Sequence, residues 1–578
     1  MKSFVFKIGG EAGFGIMSAG LMAAKLATRS GYEVFEYSEY PSIIRGGHNV
    51  TELIIGTEPV RAPRLTTDIL IALNQDTITR HATELSAGSF VMYDSEQTID
   101  VSAVPQGVIK IPLPLNRTAR EVGGSIVMRN SAALGAFVAL VGGNLAILTK
   151  LIDEEFANKP KEVAERNNKT AAAGYQAMRT HFRAQCTTYL APRPKRAARA
   201  VLTGNDAVAL GAIAAGMQFA AIYPMTPISN IIHALAPLQE QYKFIYKQPE
   251  DEISALTMAI GAAFAGVRSM TASAGGGFCL MTEAYGLAAM TETPVVIVVG
   301  MRGGPATGLP TWTEQGDLQF VLHAHQGEFL RIVLAPGDVE EAFHLTMQAF
   351  NLADKYQSPV IILMDKHVCE SHAGVAPFAY AAYRLNRGKI VTKAQAAYAR
   401  YAWSEDGISP RAFPGSGIHV LANSDEHTEA GYSNEDADNR KRLMTKRLRK
   451  LDTCSNEDLP DPIVYGPKKA AVTLVSWGSN KGAILDALSD FSNVNYLHIT
   501  WMNPFPTKFV RRFLSQGQTV AILEGNYTGQ LEALIHEKTG VAIPHHIRKS
   551  DGRPFFVEEV RAEIKKLVSA YGTKRSKK

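Results

Sequence analysis

Cysteine is scarce in this sequence. Four cysteines, at positions 186, 279, 369 and 454, are spread through 578 residues. None belongs to a CxxC pair, whereas iron–sulfur clusters and structural zinc sites normally use closely spaced thiolates. We therefore expect no metal centre within this chain, and no disulfides in a reducing compartment. If the chain takes part in electron transfer, its redox centre has to come from another polypeptide.

Long apolar runs are also missing. The longest, such as Pro294–Val299 and Pro359–Met364, have the length of a strand and fall short of the roughly 18–20 residues that a membrane span needs. Residues 1–10 lead directly into a strand and a glycine turn, without the pattern of a signal peptide. We expect a cytoplasmic protein without a membrane partner.

The charge balance gives little sign of nucleic-acid binding. The net charge is +5, and much of it lies in Arg440–Lys450 and in the C-terminal tail. Phosphate backbones are bound by clustered basic faces, and no aromatic residues interleave with the charges of 440–450. We interpret this stretch as a solvated or interface face of a helix and expect no nucleic-acid partner.

Short apolar runs alternate with helical stretches along most of the chain, which predicts an α/β fold with parallel sheets. The length suggests about three or four units. Residues 191–202 contain prolines and basic residues without a strand or helix period, as is typical of a linker. The predicted segments are a first domain, the linker, a central domain, a polar connecting segment and a smaller α/β domain: 1–190, 191–202, 203–375, 376–467 and 468–578.

A glycine turn, GGEAGFG, connects the first strand to the first helix. Gly10, Gly13 and Gly15 give the spacing GxxGxG, whereas a dinucleotide fingerprint has GxGxxG. NAD binding, a structural tight turn, and binding of another phosphate-bearing ligand at the helix N-terminus remain open. Arg45 and His48, in the following polar loop, are either anion ligands or ordinary surface residues.

Four segments of the central domain follow or flank predicted strands, where α/β proteins bind ligands. They are Tyr223–Pro227, Glu250–Glu252 at the start of a helix rich in small residues, Ser273–Gly277, and Arg302–Thr311. Each has an ordinary explanation, such as a tight turn or an acid at a helix N-terminus. An arginine on a glycine-flanked strand end also suits a carboxylate ligand. Four such segments in one domain favour a binding site.

These motifs resemble a known family. YPMTP, the EDE-headed helix, TASAGGGF and MRGGPATGLPT resemble the alpha subunit of 2-oxoacid:ferredoxin oxidoreductases, with Met225 where the family has isoleucine. GGEAGFG and SEYPSIIRGG resemble its gamma subunit, and fusion of gamma to alpha is known in the family. VSWGSNKG and EGNYTGQL resemble its last domain, which is similar to the C-terminal domain of transketolase. The resemblance implies a multidomain α/β protein with a parallel-sheet gamma-type domain, a pyrimidine-type thiamine diphosphate domain and a transketolase C-terminal-like domain.

The resemblance also implies cofactors and partners. The family decarboxylates a 2-oxoacid with thiamine diphosphate, transfers the acyl group to CoA and passes electrons through a [4Fe–4S] cluster to ferredoxin. The GDG motif that binds the diphosphate is absent here. Thiamine diphosphate, Mg²⁺ and the cluster would therefore be held by a separate beta subunit, in an assembly expected to be a dimer of heterodimers.

Individual roles carry over by motif. Glu252 matches the glutamate that hydrogen-bonds the aminopyrimidine ring, which requires a carboxyl in a dry site. Thr226 matches the threonine beside the substrate carboxylate or keto oxygen, and Arg302 and Thr311 match the pair proposed to recognise the 2-oxoacid. Gly10, Gly13, Gly15 and Arg45 are candidates for the phosphates of CoA.

The substrate indicated by the resemblance is 2-oxoglutarate. GGPATGLPT and the stretch from SPRAFPGSG to DEHTEAGY are more similar to the 2-oxoglutarate branch than to the pyruvate branch. Its second carboxylate requires an additional cation, for which Arg45 and His48 are candidates. The alternatives are a pyruvate- or branched-chain-specific enzyme, an NAD-dependent oxidoreductase, and a non-catalytic scaffold subunit.

Overall fold

The structure is a computed structural model that describes residues 2–43, 46–193, 199–393 and 398–571. The described residues form two compact units. The first comprises those of Met1–Leu202 with Ser371–Phe378 and Phe555–Arg561, and the second comprises those of Thr203–Glu370, Ala379–Pro554 and Ala562–Lys578.

The first 202 residues contain seven strands and six α-helices within the described ranges. The strands are β1 (Ser3–Glu11), β2 (Glu33–Glu39), β3 (His48–Gly56), β4 (Ile69–Ala72), β5 (Phe90–Asp94), β6 (Ile109–Leu113) and β7 (Ala200–Leu202). The helices are α1 (Ile16–Arg29), α2 (Gln75–His81), α3 (Leu115–Thr118), α4 (Arg129–Leu140), α5 (Leu145–Glu155) and α6 (Lys161–His181).

The central region continues the alternation. Its strands are β8 (Phe219–Ala221), β9 (Ile245–Lys247), β10 (Ser269–Ala274), β11 (Val295–Met301), β12 (Ile332–Leu334) and β13 (Pro359–Asp365). Its helices are α7 (Gly204–Ala214), α8 (Ser229–Leu235), α9 (Gln239–Tyr242), α10 (Glu252–Phe264), α11 (Gly275–Met290), α12 (Leu318–His323), α13 (Val339–Tyr356) and α14 (Lys366–Glu370).

The remaining elements include one strand that belongs to the first unit, β14 (His372–Val375). The later strands are β15 (Ile463–Tyr465), β16 (Val472–Ser476), β17 (Val494–His498), β18 (Trp501–Asn503), β19 (Thr519–Glu524) and β20 (His545–Arg548). The later helices are α15 (Ala437–Glu457), α16 (Asn480–Leu488), α17 (Thr507–Leu514), α18 (Gln530–Thr539) and α19 (Val557–Tyr571).

The sheet of the first unit is parallel in one half only. Its order is β6-β5-β4-β1-β3-β2-β14-β7. The pairs from β6 to β1 are parallel, and the pairs from β1 to β7 are antiparallel. Residues 40–47, between β2 and β3, are too few for the crossover that parallel neighbours need. The α/β class is confirmed, and the predicted parallel arrangement holds for the β6-to-β1 half.

The second unit contains two largely parallel sheets. The order of the first is β18-β12-β13-β11-β10-β8-β9, with only β18 antiparallel to its neighbour. The other is β15-β17-β16-β19-β20, with only β15 antiparallel. Strands β11 and β13 are buried at every position, as expected for strands covered on both faces.

The basic helix of the connecting segment, α15, is more buried than its composition indicates. Lys446 and Lys450 have 0% and 3% of their side chains exposed and bind the buried Glu292, each at 2.6 Å. They are spaced by four residues, so that they lie on one face of the helix. The predicted solvated or interface face is therefore not found on this side of α15, whose charges are paired inside the unit.

None of the described helices combines the length and the apolar character that a membrane span requires.

Candidate functional site

The predicted central motifs follow three neighbouring strands of the second unit. Strands β8, β10 and β11 are adjacent and parallel. Residues 223–227 follow β8, the glycines 275–277 follow β10, and Arg302 follows β11. The carboxyl ends of parallel strands meet at one edge of a sheet, and ligands of α/β proteins bind there.

Glu252 is the first residue of α10 and is 4% exposed. The N-cap Asp251 accepts a hydrogen bond from the backbone N–H of Ser254 at 2.8 Å, which fixes the start of the helix. Oε1 of Glu252 is buried and has no hydrogen-bond partner among the described residues. A buried polar atom in this state loses about 1–3 kcal/mol of hydrogen-bonding free energy, so the site is suited to a ligand that supplies the missing partner.

The first turn of α11 lies against Glu252. A Cβ atom added at Gly277 would stand 2.7 Å from Oε1 of Glu252 and 1.9 Å from Oγ of Ser273. Ser273 in turn contacts Sδ of Met225 at 3.9 Å. The structure thus brings together the YPMTP loop, Glu252 and the glycine turn, and glycine at 277 leaves the room that the carboxyl group needs.

Arg302 is bound to the YPMTP loop. Its Nη1 donates to the carbonyl oxygen of Thr226 at 2.8 Å. The Thr226–Pro227 peptide bond is cis, and a Cβ at Gly300 would stand 2.9 Å from Cγ of Pro227. Burial lowers the pKa of Arg302 from its usual value, and the nearby Asp317 opposes this shift. Thr226 and Arg302, which were both predicted as site residues, therefore share one edge of the sheet.

Thr311 lies in the loop that begins at Arg302. It is 5% exposed, and its hydroxyl has no hydrogen-bond partner within the described part of the chain. The loop closes on itself, because Gly303 donates its N–H to the carbonyl of Trp312 at 3.3 Å and accepts from Leu309 at 2.7 Å. Thr311 thus adds a second buried polar atom that lacks a partner.

Sequence reasoning missed two acidic residues, of which Asp317 lies beside Arg302 and Glu314 lies beside Asp317. A Cβ at Gly275 would stand 2.3 Å from Oδ2 of Asp317, so this carboxyl group lies against the start of α11. Burial and the neighbouring Glu314 raise the pKa of Asp317 to about 6, although Arg302 opposes the shift. Burial also raises the pKa of Glu314, which accepts a hydrogen bond from the backbone of Gly304.

The two C-terminal motifs meet the same loop through Gln315. Its Nε2 donates to Oδ2 of Asp365 at 3.1 Å and to the carbonyl of Trp477 at 3.0 Å. Its Oε1 accepts from Asn480 at 2.9 Å and from the N–H of Gly525 at 2.8 Å. VSWGSNKG and EGNYTGQL therefore support the loop that carries Thr311 and Asp317.

The glycine turn of the first unit leaves open space before α1. Gly13 and Gly15 have φ angles of 90° and 71°, which favour glycine. Apart from its two chain neighbours, no described residue has an atom within 4 Å of a Cβ built at Gly13, whereas a Cβ at Gly10 would stand 3.0 Å from Phe14 and 3.1 Å from Ile16. No side chain caps α1 at Gly15, so its first N–H groups are suited to an anion.

A cation that the sequence did not indicate lies beside this turn. The guanidinium of Arg129 stands 3.5 Å from the centre of the Phe14 ring, and its buried Nε has no hydrogen-bond partner in the described ranges. Of the predicted phosphate ligands, Arg45 lies outside the described residues. His48 is unsuited to an anion, because burial and His81 lower its pKa to about 4, and its imidazole is neutral near pH 7.

Comparison with known proteins agrees with these motifs. A family model described as "Pyruvate flavodoxin/ferredoxin oxidoreductase, thiamine diP-bdg" matches residues 210–446. A second, "Pyruvate ferredoxin/flavodoxin oxidoreductase", matches residues 5–177. The 2-oxoacid:ferredoxin oxidoreductase subunit alpha of Sulfolobus sp is 32% identical, over 97% of this chain and 96% of its own length.

Two further similar proteins are named as 2-oxoglutarate enzymes. The 2-oxoglutarate synthase subunit KorA of Methanothermobacter thermautotrophicus is 34% identical over 63% of this chain and 98% of its own length. A solved 2-oxoglutarate:ferredoxin oxidoreductase from Magnetococcus marinus, with 2-oxoglutarate, coenzyme A and succinyl-CoA bound, has a TM-score of 0.91, 30% identity, and covers 98% of this chain and 100% of that chain. This chain therefore belongs to the 2-oxoacid:ferredoxin oxidoreductases, as an alpha subunit that carries the gamma-type region at its N-terminus.

Proposed function

We propose that this chain forms one wall of the active site of a 2-oxoglutarate:ferredoxin oxidoreductase. The reaction converts 2-oxoglutarate and CoA to succinyl-CoA and CO₂, with one proton released and two electrons passed to ferredoxin. A beta subunit supplies the residues that bind the diphosphate and Mg²⁺, together with the [4Fe–4S] cluster. Two such heterodimers form the assembly.

The observation that carries the proposal is the unpaired Oε1 of Glu252. This atom lies beside Gly277, which belongs to the three glycines in the first turn of α11. A flat aminopyrimidine ring suits this place, because it brings a nitrogen partner to the carboxyl and meets no side chain at Gly277. Bound thiamine diphosphate supplies a carbon nucleophile and an electron sink. The role of Glu252 is to share a proton with the ring nitrogen, which a dry site strengthens.

Arg302, Thr226 and Thr311 bind the 2-oxoacid in this proposal. A guanidinium carries five N–H donors, so the bond from Arg302 to the carbonyl of Thr226 leaves donors for the substrate carboxylate. The unpaired hydroxyl of Thr311 offers a second donor. Asp317 lies beside Arg302, and burial raises the pKa values of Asp317 and of the neighbouring Glu314.

CoA binds the first unit, with its phosphates at Gly10, Gly13 and Gly15 and at Arg45. The open space at Gly13 and the uncapped N-terminus of α1 support this placement, and Arg129 is a further cation close to the turn. The ligands of the Magnetococcus protein support both CoA and 2-oxoglutarate as the substrates proposed here.

Coproduction with the beta subunit tests the proposal. We expect the purified complex to reduce a low-potential dye with CoA and 2-oxoglutarate, and to be slower with pyruvate and branched-chain 2-oxoacids. The isolated chain should be colourless and inactive. A brown, active preparation of this chain alone would contradict the proposal, and preference for pyruvate would overturn the substrate assignment.

A substitution at Glu252 distinguishes a catalytic role of this chain from a role as a non-catalytic scaffold. We expect Glu252→Ala to lower turnover by about 100-fold or more, the scale of general acid–base effects. Glu250→Ala is the matched control, because Glu250 is exposed two residues earlier. Near-normal turnover of Glu252→Ala would show that the chain serves as a scaffold.

A further inference from the structure

A chain of polar side chains runs through the first unit from β1 to the start of β3. Nζ of Lys7 lies 3.0 Å from Glu52 and 2.5 Å from Oε2 of Glu84. Oε1 of Glu84 lies 2.7 Å from Nδ1 of His81. Nε2 of His81 lies 2.8 Å from Nε2 of His48. His48 pairs with Glu11 in the sheet and thus lies at the carboxyl end of β1, beside the glycine turn.

The carboxylate of Glu84 sets the direction of these hydrogen bonds. Burial alone would raise the pKa of Glu84, but the hydrogen bond to His81 and the charge of Lys7 bring it down to about 2. An ionised carboxylate only accepts, so Nδ1 of His81 donates to it. In a neutral ring the other nitrogen, Nε2 of His81, then accepts from Nε2–H of His48.

This direction leaves Nδ1 of His48 with a lone pair. The atom is buried and has no hydrogen-bond partner among the residues that the structure describes. Oδ2 of Asp76 stands 3.8 Å away, which is too far for a hydrogen bond. The side chain of Asp76 is 42% exposed and that of His48 is 7% exposed, so the imidazole is buried while the carboxylate beside it reaches solvent.

Glycine at position 9 makes room for this imidazole. A Cβ atom there would stand 3.0 Å from Cε1 of His48 and 2.7 Å from Cγ2 of Thr77. The ring is therefore packed against the backbone of β1, directly before the glycines of the turn. A lone pair next to a carboxylate repels phosphate and attracts a neutral donor.

We propose that Nδ1 of His48 binds a neutral N–H or O–H group of the cosubstrate that occupies the glycine turn. The donor belongs to the pantetheine or the adenosine part of CoA, and the phosphates lie elsewhere on the turn. This inference rests on the proposed function, because it takes CoA as the ligand of the first unit. It assigns His48 to positioning CoA and not to the second carboxylate of the 2-oxoacid.

Two substitutions distinguish the roles of the two ring nitrogens of His48. The amide of His48→Gln reaches the place of Nε2 and keeps a partner for His81, but removes Nδ1. The amide of His48→Asn stands near the place of Nδ1 and cannot reach His81. Calorimetric titration of the complex with CoA should give a dissociation constant about tenfold weaker for Gln, the scale of one lost hydrogen bond, and within about twofold of the wild type for Asn.

The inference would be overturned if the Asn variant bound CoA more weakly than the Gln variant, or if the Gln variant bound CoA as tightly as the wild type. The first result would assign His48 a structural role through His81. If the Gln variant fails to fold, the Asn variant still decides, because a tenfold loss in Asn contradicts a role for Nδ1. Failure of the wild-type complex to bind CoA would instead overturn the proposed function itself.

Competition by fragments identifies the donor. Pantetheine and adenosine should differ in their response to His48→Gln, and the fragment that loses about tenfold in affinity carries the donor. The affinity of inorganic pyrophosphate should not change. A loss confined to pyrophosphate would show a charged His48 and contradict the inference.

Discussion

Glu252 and Gly277 are placed so that only glycine fits at position 277. A Cβ atom there would stand 2.7 Å from Oε1 of Glu252 and 2.8 Å from its Cγ. At the adjacent Gly276 the nearest atom, the carbonyl oxygen of Ala306, would be 4.0 Å away. A side chain therefore has room at Gly276 but not at the neighbouring Gly277.

Gly277→Ala should lower turnover at least tenfold, because the added methyl group displaces the side chains of Ser273 and Glu252. Gly276→Ala should retain activity and gain up to about 1 kcal/mol of stability, since alanine is favoured over glycine within helices. Steady-state kinetics and thermal unfolding of both variants in the complex check this. Equal activity of the two variants would show that the position of the Glu252 carboxyl does not matter.

Arg302→Lys should raise the KM for the 2-oxoacid about tenfold or more and leave the KM for CoA unchanged. Lysine keeps the charge but loses the planar fork that binds a carboxylate while a further N–H holds the carbonyl of Thr226. Initial rates with each substrate varied in turn provide the measurement. A change in the KM for CoA of similar size would contradict a role confined to the 2-oxoacid.

The strand ends of the site could be predicted from the sequence because their signals are local. An apolar run followed by glycine or proline marks the place of Thr226, Gly277 and Arg302 whatever the rest of the chain does. Asp317 could not be recognised in this way. Its role depends on contact with Gly275, 42 positions earlier in the chain, and on Arg302.

The wrong prediction for α15 and the missed environment of His48 have the same cause, because both depend on contacts with residues distant in the sequence. Lys446 and Lys450 look like a solvated basic face until Glu292 is placed opposite them. His48 looks like an anion ligand until His81 is placed at 2.8 Å. In each case the role of the side chain depends on a neighbour in space. That neighbour is far away in the sequence, so no sequence spacing could have identified it.

Glu292→Gln should destabilise the second unit by about 3–5 kcal/mol, because it leaves two buried lysines without a counter-charge. The carboxylate of Glu292 and the amines of Lys446 and Lys450 are almost fully buried. Glu240→Gln, at an exposed glutamate, is the matched control and should change stability by less than about 0.5 kcal/mol. Urea unfolding of the two variants should reveal this difference, and equal midpoints would contradict it.

Asp317→Asn should make stability less dependent on pH. The pKa of Asp317 is raised to about 6 by burial and Glu314, above the value of about 3.9 for an exposed aspartate. The folded wild type therefore binds this proton more tightly than the unfolded chain does, and loses stability as the pH rises from below 4 to above 6.

Asparagine has no proton to lose, so the stability of the variant relative to the wild type should increase with pH. Between pH 5 and pH 8 we expect a gain of about 1 kcal/mol, since part of the shift is already expressed at pH 5. Urea unfolding at several pH values gives this difference directly. A difference that stays constant, or that shrinks as the pH rises, would mean that Asp317 is ionised throughout and that Arg302 outweighs its burial.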